Sequence, residues 1–120
     1  MIAEKASESI DKAVVYELQN IVKNYGTVYA SEHEAYAVLK EEIEEAAEDM
    51  EQINRNLAYL WALIKNNHIK AGGGAIAETI DYAKMLAQEA VQVAAVCERF
   101  EETIANKSEP PTYREDMTIL

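Results

Sequence analysis

A chain of 120 residues with 49% apolar content supports one domain with a modest core and argues against disorder. Its 22 acidic residues against 11 basic ones give a net charge of −11. That disfavours a sequence-independent grip on nucleic acid, because a phosphate backbone must be met by Lys and Arg. The lone Cys97 excludes an internal disulfide and a thiolate metal cage. With no run of about 18 apolar residues and no basic-plus-apolar leader, the expectation is a cytoplasmic protein without a membrane partner.

Glycine and proline are scarce and alanine is abundant, which favours an all-α fold. Residues 1–7 read as a loose lead-in. A first helix is expected over residues 8–24, with Ile10, Val14, Leu18, Ile21 and Val22 on one stripe. Gly26 ends it, since a helix C-terminus commonly needs a left-handed residue. Residues 27–30 form a short, extended connector. Ser31 with Glu34 three residues on is a capping box for a second helix, residues 32–65. Its apolar residues alternate three and four apart: Tyr36, Leu39, Ile43, Ala46, Met50, Ile53, Leu57, Leu60 and Ile64. Helix propensity dips at Asn54-Arg55-Asn56, so the continuity of this helix is open.

Asn66-Asn67-His68 ends the second helix, and Gly72-Gly73-Gly74 reads as a flexible hinge between antiparallel helices. No strand precedes these glycines and no GK[ST] follows, so they do not make a phosphate-binding loop. A third helix is expected over residues 75–106, striped by Tyr82, Leu86, Glu89, Val93, Val96 and Phe100. Residues 1–106 thus form a single all-α domain, and residues 107–120, with Pro110-Pro111, a C-terminal tail whose apolar end could dock. Two helices of about 50 Å do not fit a sphere with a radius of gyration of about 13–14 Å. The hairpin is therefore expected to self-associate, as a homodimer or homotetramer forming a helical bundle.

The acidic block at residues 41–51 divides around the helix. Glu44, Glu48 and Glu51 lie opposite the apolar seam and solvate the helix. Glu42 and Asp49 border the seam, and Glu45 lies one step further round. Glu42 and Glu45, three residues apart, point the same way and could share a divalent cation. On the third helix Glu89 falls within an apolar stripe, where an unpaired carboxylate is costly. It needs a base, a shared proton or a metal, and the nearest base in sequence is Lys84. Gln92 follows one turn on, in an apolar run, and is expected to be buried and hydrogen-bonded.

Glu41-Glu42-x-x-Glu45 on one helix, with Glu89-x-x-Gln92 on a later one, resembles the EExxE…ExxD signature of MazG-like all-α nucleoside triphosphate pyrophosphohydrolases. Tyr25-Gly26 and residues 33–46 also resemble small phage and prophage proteins of Gram-positive bacteria. The resemblance covers under half of the chain. It implies Mg²⁺-dependent hydrolysis of a (d)NTP to a (d)NMP and pyrophosphate. Glu42, Glu45 and Glu89 would be the metal ligands and Glu41 the water-orienting base. Carboxylates suit this ion, which prefers hard oxygen ligands and keeps several waters.

Two features depart from the family. Gln92 stands where an aspartate belongs, and a neutral amide is a weaker Mg²⁺ ligand. Residues 46–88 also separate the half-motifs by more than the family's usual spacing. An active enzyme and a degenerate relative both stay open, as does a non-catalytic, phage-encoded helical interaction or assembly protein. His33 and His68 are isolated and belong to no ExxH pair, so a di-iron carboxylate bundle lacks ligands. Trp61 reads as core or oligomer interface, Tyr25 and Tyr29 as connector packing with a pocket wall as the alternative, and Cys97 as a small hydrophobe.

Overall fold

The computed structural model describes residues 1–107, and the tail expectation falls almost wholly outside them. Three α-helices make up the described chain: α1 (Glu4–Tyr25), α2 (Glu32–Lys65) and α3 (Gly73–Ala105). The fold is all-α, a long antiparallel hairpin of α2 and α3 with α1 lying on α3 alone. Its extents are 65 × 36 × 26 Å and its radius of gyration is 19.9 Å, well above that of a sphere of this length.

The helix signals in the sequence act as expected, with three adjustments. Ser31 caps α2, its Oγ accepting the Glu34 N–H at 3.1 Å. The helix then runs unbroken through Asn54-Arg55-Asn56, where the Arg55–Glu51 pair bridges one turn at 2.8 Å. The first adjustment is that α1 begins at Glu4, so the lead-in is mostly helical. Nothing in Lys5-Ala6-Ser7 breaks a helix, and the favoured residues simply extend it upstream.

The second adjustment concerns the glycines. Gly73 and Gly74 form the first turn of α3 instead of a hinge. The reversal is made earlier, by Asn66-Asn67-His68. Asn67 takes the left-handed conformation at φ 58°. The His68 N–H reaches back to the Leu63 carbonyl and the Asn67 N–H to that of Ile64, the paired bonds of a Schellman motif. Gly72 is buried because α2 passes close by, and a Cβ there would stand 2.8 Å from the Leu60 side chain.

The third adjustment concerns the face of α2. The α3 stripe Tyr82, Leu86, Glu89, Val93, Val96 and Phe100 is buried or half-buried throughout. On α2, however, the covered line runs through Ala35, Val38, Glu42, Asp49 and Gln52. Leu39, Ala46, Ile53 and Leu60 border it, while Tyr36, Ile43, Met50, Leu57 and Ile64 stay exposed. A single partner helix covers only one line, and the apolar stripe of α2 is wider than that.

The core sits at one end of the hairpin, where Tyr29, Ala35 and Val96 pack with Ile21, Val38, Leu39 and Phe100. The connector between α1 and α2 is bent, without a strand, and Arg99 holds it. The buried guanidinium donates to the carbonyls of Tyr25 (2.9 Å), Gly26 (3.1 Å) and Val28 (3.0 Å). It also stacks on the Tyr29 ring at 4.0 Å. The Tyr29 N–H donates to Thr103 Oγ1 at 2.9 Å, closing the connector onto α3.

Arg99→Lys keeps the charge but cannot present the planar fork, leaving at least one carbonyl unsatisfied. A loss of about 2 kcal/mol is expected from this substitution, and about 3 kcal/mol from Arg99→Ala. Urea unfolding checks both values, and a loss below about 0.5 kcal/mol in each would remove Arg99 from its structural role.

Candidate metal centre

Helical spacing and the hairpin register build the site together. Glu42 and Glu45 lie three residues apart on α2, one turn from the other. Antiparallel pairing brings Glu89 of α3 opposite them, in the register that also sets Asn56 against Glu78 at 3.3 Å. One carboxylate oxygen from each of Glu42, Glu45 and Glu89 lies within 4.8 Å of the other two. Glu42 and Glu89 are half-buried, and Glu45 is exposed. Glu41 stands outside this trio, exposed on α2, and acts on Glu42 through its charge.

Gln92 adjoins the trio. With its amide nitrogen turned toward the carboxylates, the orientation their lone pairs require, it donates to Glu42 at 2.9 Å and Glu89 at 3.2 Å. Lys84 is exposed and does not serve as the base for Glu89. The groups acting on Glu89 are acids. Its pKa is pushed up to about 7, first by removal from water, then by a hydrogen bond with Glu45 and by repulsion from Glu45, Glu42 and Asp49. Burial likewise raises Glu42, helped by the charges of Glu45 and Glu41, while its hydrogen bond with Glu89 opposes the rise. These shifts favour a proton on Glu89, hydrogen-bonded to its neighbouring carboxylates, up to about pH 7.

The residues fit a hard divalent ion. Three carboxylates converge from two helices, and bonds of about 2.1 Å would set opposite oxygens about 4.2 Å apart.

The sequence reading leaves two contributors aside. Asp49 is buried and carries its charge toward Glu89. Its signal was available, since Glu42, Glu45 and Asp49 are spaced three and four apart. Arg99 is the other, a charged residue inside the apolar run at the end of the α3 stripe.

A cavity of about 650 Å³ opens beside the carboxylates. It exists because α1 rests on α3 without reaching α2, leaving a gap over the core. Ile21, Tyr25, Val28, Tyr29, Val38 and Val96 supply apolar walls, and Glu17, Glu34, Glu42, Gln92 and Arg99 line it as well. Tyr25 and Tyr29 thus wall a cavity, the alternative that the sequence offers for them. Burial raises the Tyr29 hydroxyl pKa, opposed by its hydrogen bond and charge interaction with Arg99.

The chain matches no family model, no curated protein and no solved structure with which it was compared. Among the described residues no helix is long and apolar enough to cross a membrane.

Folded Glu89 keeps a proton up to about pH 7 that the unfolded chain releases near 4.5. Below 4.5 both states are protonated and the stabilisation is complete; it is lost as pH rises from there through about 7. Without divalent cations, the melting temperature of Glu89→Gln relative to wild type should therefore climb between pH 5 and pH 8. A constant difference across that range would show that the trio holds no shared proton.

Proposed function

We propose that this chain is a MazG-like, divalent-cation-dependent nucleoside triphosphate pyrophosphohydrolase. The observation that carries the reading is the convergence of Glu42, Glu45 and Glu89 within 4.8 Å, with Glu42 also lining a largely apolar cavity. Charge and shape are combined there in the way a nucleotide needs. The phosphates would meet the cation, and the base and sugar would enter a space with two tyrosines in its walls.

Bound Mg²⁺ would bring the triphosphate oxygens to an acidic surface and lower the pKa of a coordinated water. Glu42, Glu45 and Glu89 would hold it, giving up their shared proton. Glu41, exposed and one residue before Glu42, would orient the water from outside the trio. Gln92 would keep Glu42 and Glu89 aligned through its amide, and its neutrality lowers the negative charge available to the ion. Tyr29, held by Arg99, would exclude water from the cavity.

A second reading, a non-catalytic helical assembly protein of phage type, is favoured by the same Gln92. Its donation to Glu42 and Glu89 offsets their repulsion without any ion. In that reading the trio is a hydrogen-bonded polar seam in a cytoplasmic scaffold.

Incubation with a panel of nucleoside triphosphates and Mg²⁺ or Mn²⁺ separates the readings. Pyrophosphate and monophosphate should appear, falling by at least about 100-fold in Glu42→Gln or Glu89→Gln, and rising in Gln92→Asp. Glu41→Gln should slow turnover while keeping the upward shift in melting temperature caused by the metal. Absence of pyrophosphate with either metal would remove the enzyme claim, and absence of any metal-dependent shift would remove the cation site too.

A further inference from the structure

The half-buried residues of α1 are Ala13, Val14, Glu17, Leu18, Ile21 and Val22, and Glu17 alone among them is charged. The residues three and four positions away from it, Ala13, Val14, Asn20 and Ile21, offer no base. Among the described residues no ion pair reaches its carboxylate. On a contact face an apolar side chain would pack better, so the fold by itself does not account for this acid. Its surroundings do. Glu17 lines the cavity together with Glu42 and Gln92, and it shares with Gln92 a second cleft between α1 and α3. Its charge acts on Glu42. Glu17 therefore stands where the cavity adjoins the carboxylates.

The cavity has a direction. Glu42 and Glu34 both line it and lie eight residues apart on α2, a distance of about 12 Å along the axis. Val38 is midway between them, and both charges act on the Tyr29 hydroxyl. A nucleotide with its phosphates on the trio lays its sugar beside Glu42 and carries its base on toward Tyr25, Tyr29 and Glu34.

We propose that Glu17 receives the sugar and selects ribonucleoside over deoxyribonucleoside triphosphates. This rests on the nucleotide reading above and narrows its substrate class. A ribose presents two neighbouring hydroxyls, and each can donate a hydrogen bond. An ionised carboxylate only accepts, through two oxygens, and so meets both hydroxyls at once, as acidic residues meet the ribose of dinucleotides. Deoxyribose leaves one oxygen of Glu17 facing a C–H group at a half-buried place from which water has been displaced. Neighbouring donors do not take that oxygen. Gln92 gives its amide hydrogens to Glu42 and Glu89, and Arg99 donates to three backbone carbonyls. Because Glu17 comes from α1 and lies outside the trio, it holds the sugar without joining the metal's ligands.

Hydrolysis of ATP, GTP, CTP and UTP with Mg²⁺, each beside its deoxy counterpart, reads the selection. For whichever bases are cleaved, kcat/KM should favour the ribose form by at least about 10-fold, and Glu17→Leu should bring the ratio to about one by raising the KM for that form. Leucine suits a half-buried helical face, so this variant should melt no lower than wild type. Glu48→Gln, on the solvated face of α2, should keep the preference. The corresponding nucleosides without metal give a readout independent of turnover. The ribonucleosides should raise the melting temperature more than the deoxynucleosides do, and Glu17→Leu should erase the difference. Pyrophosphate release with equal kcat/KM for both sugars, or a preference untouched by Glu17→Leu, would overturn the role of Glu17 and leave the enzyme reading standing. Absence of pyrophosphate from every nucleotide would remove the enzyme reading, and the nucleosides then decide the sugar site. Equal shifts from the two sugars, or none, overturn it.

Discussion

The structure depends on Arg99. A guanidinium buried without a carboxylate is stable only if its donors are met, and here the carbonyls of Tyr25, Gly26 and Val28 meet them. Those oxygens belong to the end of α1 and the connector, where the helix dipole is negative and favours a cation. Arg99 lies on α3, so one side chain fixes α1, the connector and α3 together. It also holds Tyr29 in the core through its ring, which starts α2 in the right direction. The cavity beside the carboxylates is the space left between elements placed in this way.

The carboxylate trio works against the fold. Glu42 and Glu89, with oxygens up to 4.8 Å apart, would repel by about 1 kcal/mol in water and about 3 kcal/mol at a half-buried site. Gln92 returns a comparable amount through two hydrogen bonds to charged acceptors. Removal from water first, then the hydrogen bond with Glu45 and the repulsion of its neighbours, push the Glu89 pKa up to about 7, so that a proton offsets part of the repulsion towards neutrality. An arrangement that needs a proton, an amide donor or a cation to be tolerable is poorly explained by stability alone. Such perturbed groups concentrate where ligands bind.

Elongation and charge form a second constraint. A hairpin of two helices covers one line on each, and only the part beneath α1 gains a third wall. The distal half therefore keeps its apolar face in water while remaining nearly neutral, and the acidic half carries the charge. Apolar exposure and low charge thus coincide in one region, and concentrated acid marks the other.

Much of the fold was legible in local pattern. The Ser31 cap, the continuous three-four spacing of α2 and the left-handed turn at Gly26 depend on residues within one or two helical turns. Glu89 stood out because a carboxylate inside an apolar stripe violates its own periodicity. What the pattern could not determine was which line of a wide stripe a partner helix would take. Placing α3 one step round from the apolar seam turned Glu42 and Asp49 inward and left Tyr36, Ile43 and Leu57 outside. The glycine run misled for a related reason. Asn67 made the turn, and glycine was needed only at Gly72, where a neighbouring helix passes close. Arg99 escaped because its partners lie more than 70 residues away, and three of them are backbone carbonyls, which every sequence has and none displays. The sequence by itself determined three helices and two half-sets of acids, since those are properties of short segments. Only the tertiary structure decided that the half-sets meet, because their meeting depends on the register between two helices nearly fifty residues apart along the chain.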